Sequence, residues 1–171
     1  MGISDEVLED ITPLSPKKKE FETFSKKWKG KSIIGISKKE IINNLLGHTE
    51  QANRVAKLIE DKRVVINILD DTEFVNKYIK LGGNADDAGF LDAFAYGENT
   101  YHKSSTPIDR FMSEVVHEGT HAKDYLDQID DVNKLWERRA RFYERQFQES
   151  VGIEKDFKTI DEMLKFIYQN Y

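Results

Sequence analysis

The stretch Ile108 to Asp127, IDRFMSEVVHEGTHAKDYLD, is the part of the chain with the least freedom in what it can become. Placed on a helix at about 100° per residue, Ile108, Phe111, Met112, Val115, Gly119, Ala122 and Leu126 gather on one side and predict a face turned to the core. His117 and His121 fall roughly opposite. Residues i and i+4 lie one turn apart, so both imidazoles point into the same cleft. The pattern therefore asks for a helix with two occupied sides, one apolar and one imidazole-bearing.

Two imidazoles at this spacing suit two ligands of one tetrahedral zinc. Glu118 is rotated about 100° from His117, near enough to serve as a general base without having to be a ligand. The alternative is a pair of surface histidines at helical spacing. The chain has four histidines in all, and a chance His-Glu-x-x-His in the middle of a helix is rare at that frequency.

A catalytic zinc takes three protein ligands and leaves one position open. There are no cysteines, so thiolate sites and disulfides are excluded and the third ligand must be His, Asp or Glu. Asp127, six residues after His121, partly mimics the metzincin spacing. That spacing needs a glycine three residues after the second histidine to turn the chain sharply, and Asp124 stands there. Glu137 is the better candidate. If the helix after residues 127 to 132 folds back antiparallel, Glu137 comes level with His121 at 1.5 Å of rise per residue. Glu137 borders the apolar stripe Val132, Leu135, Trp136, Ala140, Tyr143 and Phe147. Glu144 lies on the same border about 10 Å further along the axis and is the second choice. Either glutamate could instead pair with the arginines of ERRARFYER.

His117-Glu118-x-x-His121 followed by ERRA at 137 to 140 resembles the gluzincin metallopeptidases, in several of which the third ligand is the glutamate of a Glu-x-x-Ala segment on the next helix. The HEGTHAKD context and the short hairpin before the helix look like the minimal zincin domains at the ends of bacterial polymorphic toxins. The likeness covers about residues 88 to 147 and none of residues 1 to 85. It implies a zinc-dependent endopeptidase, delivered as part of a larger secreted toxin into a target cell, with a cognate immunity protein. The chain departs from the larger gluzincins in having no evident downstream histidine as oxyanion stabiliser. His102 and Tyr143 are candidates for that donor, with packing as the competing role of each. Tyr96 and Tyr101 read as sheet packing and His48 as surface.

Around this centre the sequence predicts α+β, a zincin-like arrangement in which a small, mostly antiparallel sheet packs on the active-site helix and on the helix that follows. Ser37 and Thr49 open two amphipathic helices. RVVINILD, 63 to 70, reads as a buried strand and 71 to 83 as a helix ending at Gly82-Gly83. Phe90 to Tyr96, a turn at 97 to 99 and Thr100 to Lys103 form a hairpin, placed to take a peptide substrate along its edge. Ser105-Thr106-Pro107 caps the histidine helix with proline at its first position. Further helices cover about 132 to 150 and 158 to 168. Length, at 171 residues, allows one domain. Residues 36 to 171 form it and residues 1 to 35 are a lead-in, in which Phe21, Phe24 and Trp28 fit a short docking helix.

Net charge is −5, which argues against general affinity for nucleic acid. The lead-in is the exception: residues 17 to 31 hold seven lysines and two glutamates. Such an arm can touch nucleic acid or acidic lipid, or can be a solvated helix face. No apolar run suits a bilayer span. MGISDEVLED lacks a signal pattern, and Glu6 breaks a myristoylation motif. Two rival readings keep the histidines: a binding module whose structural metal is closed by Asp124, Asp127 or Glu144, and a zincin fold without turnover.

Overall fold

The computed structural model describes residues 16–171, so Pro13, Glu6 and the first part of the lead-in lie outside the described residues. Eight helices and a three-stranded sheet follow one another in the order α1 (Pro16–Trp28), α2 (Lys38–Leu45), α3 (Glu50–Glu60), β1 (Val65–Leu69), α4 (Asp71–Lys80), α5 (Ala85–Ala88), β2 (Ala93–Tyr96), β3 (Asn99–Lys103), α6 (Ile108–Leu126), α7 (Asn133–Val151) and α8 (Ile160–Asn170). The class is α+β. Among the described residues no helix is long and apolar enough to cross a membrane.

Local chemistry sets the helix starts. The Ser37, Thr49, Asp70 and Thr159 side chains each accept a hydrogen bond from the backbone N–H three residues on, satisfying a donor the helix leaves free. The histidine helix departs from this. Pro107 occupies its cap position rather than its first turn, and no side chain caps it. Ser105 Oγ is instead turned to Asp71 Oδ1 at 2.7 Å. Proline has no N–H to satisfy, and its fixed φ alone aims the chain.

The sheet has the order β1-β3-β2 and is mixed, not mostly antiparallel as expected. β2 and β3 form the expected hairpin, shorter than its sequence suggested, with Tyr96 opposite Asn99 across a two-residue turn. Gly97 has φ +60 and supplies the positive φ that the first position of such a turn needs. β1 pairs with β3 in parallel, from Val65↔Asn99 to Leu69↔Lys103. A parallel pair needs a crossover, and α4, α5 and β2 form it. β1 is consequently an edge strand and only half-buried, where its composition suggested a buried one.

Alternation along central β3 separates two layers. Tyr101 stacks on Phe94 with ring centroids 4.8 Å apart, and Phe94 meets Phe74 and Tyr78 of α4 on the same side. Thr100 and His102 turn to the other side, where the His102 ring meets Phe111 of α6 edge-on. The main core lies on that side. It joins Ile41, Leu45, Val55, Ile59, Phe111, Val115 and Phe147, and it includes Phe21, Phe24 and Ile33 from the lead-in. Ile33 N–H also donates to Ser104 O at the end of β3. His48 stands at the core margin rather than at the surface, edge-on to both Phe21 and Phe147 at 5.8 Å.

Helix α6 is covered nearly all round, its polar side included. Gly119 lets α3 approach: a Cβ there would lie 2.6 Å from Val55 Cγ1. Thr120 beside it donates to Val116 O and accepts a buried hydrogen bond from Gln51 of α3. Gly119→Ala should therefore destabilise, even though alanine gains about 1 kcal/mol in helix propensity. The overpacking against Val55 outweighs that gain, for a net loss of ~1–2 kcal/mol, measurable as a lower midpoint in urea at unchanged slope.

Candidate metal centre

α6 and α7 form an antiparallel hairpin closed by residues 127–132. Arg139 of α7 fixes its register from below the site, with Nε 2.9 Å from Asp124 Oδ2 and a terminal nitrogen 3.0 Å from Asp131 Oδ2. That register brings Glu137 opposite the two histidines. His117 Nε2 lies 3.0 Å from Glu137 Oε1, and His121 Nε2 lies 3.1 Å from Glu137 Oε2. One donor atom from each of the three residues lies within 4.8 Å of the other two, a group able to hold a metal ion. Donors at ~2.0–2.1 Å from a tetrahedral zinc are themselves ~3.3 Å apart, close to the two imidazole–carboxylate separations.

Glu118 approaches from the same helix, with Oε1 3.7 Å from His117 Nε2. Its Oε2 is buried without a hydrogen-bond partner. A buried carboxylate oxygen left unsatisfied is costly, and here it stands beside the ligand group.

Glu144 takes a different place from the one its wheel position offered as a third ligand. Its Oε1 accepts a hydrogen bond from Nδ1 of His117 at 3.2 Å, on the ring edge facing away from Glu137. When His117 is neutral, that contact favours the proton on Nδ1 and leaves Nε2 free to meet a metal ion. Asp127 is excluded as a ligand by its surroundings: it is exposed, caps the end of α6 and pairs with Lys123 one turn back. Asp124 is held by Arg139. His102 is fully buried, with Nε2 2.9 Å from Thr100 Oγ1, and has no solvent-facing edge. Tyr143 packs at the core margin. Tyr101 is buried in the sheet, while Tyr96 is exposed at its edge.

A ring of charges that the motif alone did not reveal surrounds the centre. Arg141 Nε lies 3.2 Å from Glu137 Oε1, an ion pair without hydrogen-bond alignment. Its guanidinium is also set against the rings of Phe157 and Phe166. Asp156 lies near Glu144, and desolvation followed by the Glu144 charge raises its pKa. Glu114, one turn before His117, is buried 3.9 Å from Arg110, which also holds Asp92 at 2.8 Å. Sequence spacing carried a signal for two of these, since Glu114 is three residues from His117 and Glu144 seven from Glu137.

The centre is strongly polarised. Burial alone would lower the His117 pKa, but Glu144, Glu137 and Glu118 outweigh it and raise the pKa well above its ordinary value. Burial pushes the Glu137 carboxyl up, and the hydrogen bonds from His117 and His121 overcome it and hold the group well below the usual range. His102 is pushed down to about 4 by burial, against the opposing pull of Glu118.

Compared with protein-family models, with curated proteins and with solved structures, the chain matches none.

Two outcomes test this geometry. Glu144→Ala should weaken the binding of an added divalent metal ion about 10–100-fold while leaving one site, as loss of an orienting carboxylate does, read by competition with a chromophoric chelator. Glu114 has its pKa raised to about 8, by burial more than Arg110 lowers it. A raised carboxyl is neutral in the folded chain and ionised in the unfolded one between its ordinary value of 4.5 and about 8. Stability is thus fully present below the lower value and falls as pH rises through that window. Glu114→Gln removes the fall, so its advantage in unfolding free energy should grow between pH 5 and 8, reaching on the order of 2–4 kcal/mol.

Proposed function

We propose that the protein is a zinc-dependent peptidase in which His117, His121 and Glu137 hold the ion and Glu118 is the general base. The observation that carries this reading is the convergence of both Nε2 atoms on Glu137, with a buried, unpartnered Glu118 oxygen alongside. Bound zinc supplies Lewis acidity toward a carbonyl oxygen and toward water. His117 binds through Nε2 because Glu144 occupies Nδ1. Glu118 takes a proton from the attacking water at its free oxygen and passes it to the departing amine. Burial of the group keeps bulk solvent from competing for those protons.

Edge strand β2 packs beside α6 and leaves one side unpaired. An extended peptide added there would run alongside the histidine helix, backbone amides recognised by the strand. The likeness of residues 88 to 147 to minimal zincin toxin domains supports a wider reading, in which this is the catalytic part of a bacterial toxin or effector. Its substrate is then protein or peptide in a target cell, and its partner a cognate immunity protein. The rival, a binding module with a structural metal, would need a fourth protein ligand. Glu144, Asp124 and Asp127 are each engaged elsewhere.

Glu118→Gln separates these readings. The variant should retain one zinc per chain by elemental analysis and cleave a random peptide library at least ~100-fold more slowly than the parent, the range a positioned base contributes. A zinc-loaded parent that cleaves nothing in the library, or a variant as fast as the parent, would sink the peptidase reading.

A further inference from the structure

The nine lysines between positions 17 and 39, without one arginine among them, take no part in the centre described above. The fold gathers them. Phe21 and Phe24 point α1 into the core, and at 100° per residue Lys19 and Lys26 stand on its outward side. Glu40, in the first turn of α2, accepts a hydrogen bond from Trp28 Nε1 and pairs with Lys27, both at 3.0 Å. This clasp brings the end of α1 against the start of α2. Lys29 and Lys31 on one side of the connection and Lys38 and Lys39 on the other are therefore drawn together, all exposed. Among the described residues none of Lys19, Lys26, Lys29, Lys31, Lys38 and Lys39 has a carboxylate within ion-pair distance. Between the two lysine pairs the connection presents Ile34, 59% exposed, while its neighbours Ile33 and Ile36 are buried.

We infer that this face is a docking surface for an anionic phospholipid bilayer, with Ile34 entering the headgroup layer and the lysines meeting the lipid phosphates. Charge complementarity names the anion, and two observations choose lipid over nucleic acid. The aromatic side chains of the segment are turned inward or held by Glu40, so no ring is offered for base stacking. Lysines act as separate point charges, which suits a diffuse anionic surface; guanidinium forks, which read phosphates and bases in fixed geometry, are missing from the segment. An apolar side chain ringed by lysines is the arrangement of a peripheral interfacial anchor.

The test is sedimentation of the full chain with large vesicles of phosphatidylcholine, with and without about 30 mol % phosphatidylserine. The protein should pellet with the anionic vesicles only, and raising salt to about 0.5 M should release it. Lys29→Glu/Lys31→Glu should lower the partition coefficient at least ~10-fold, and Ile34→Asp should lower it several-fold at unchanged melting temperature. Both variants alter exposed side chains and should keep the parent's zinc stoichiometry, so the result is independent of the metal centre. Equal pelleting with neutral vesicles, no pelleting at low salt, or indifference to Ile34→Asp would overturn the proposal. Tighter binding to a single-stranded oligonucleotide than to anionic vesicles would overturn it in favour of nucleic acid.

Discussion

A single carboxylate, Glu137, lies between two imidazoles that belong to another helix, and the organisation of the molecule follows from making that meeting possible. Charged groups out of water are expensive unless each is matched. The protein answers with partners of opposite sign: Glu144 behind His117 and Arg141 beside Glu137. The helix carrying the histidines is consequently hidden on both sides, apolar contacts on one and this charge lattice on the other.

Much of that plan could be read from the residues. Periodicity located the histidine helix and its successor, and simple axial counting placed Glu137 level with His121. Ser37, Thr49 and the Phe21–Phe24–Trp28 face also behaved as their local chemistry required. What escaped was whatever depends on partners distant in sequence. A helical wheel tells which side Glu144 occupies but not which edge of the imidazole it meets. Composition marked residues 63 to 70 as a strand but could not say that its one neighbour would run parallel, or that half of it would stay wet. His48 looked like a surface residue because it follows a glycine, yet two phenylalanines from opposite ends of the chain close around it. Arg110 and Asp156 gave no signal at all, since their importance arises only when three elements converge.

The lead-in shows how one segment can serve two purposes. Its aromatic residues complete the core beneath α6, and its lysines are left outward as a consequence. A helix whose apolar side is buried can present a lysine-rich exterior without losing its attachment.

Arg139 has a consequence of its own. By gripping Asp124 and Asp131 together it sets the relative height of the two helices of the hairpin through contacts that exclude His117, His121 and Glu137. The cradle is thus assembled by scaffolding that does not wait for a cation. A chelator should therefore leave the hairpin folded, unlike small domains whose folding and metal loading are one event.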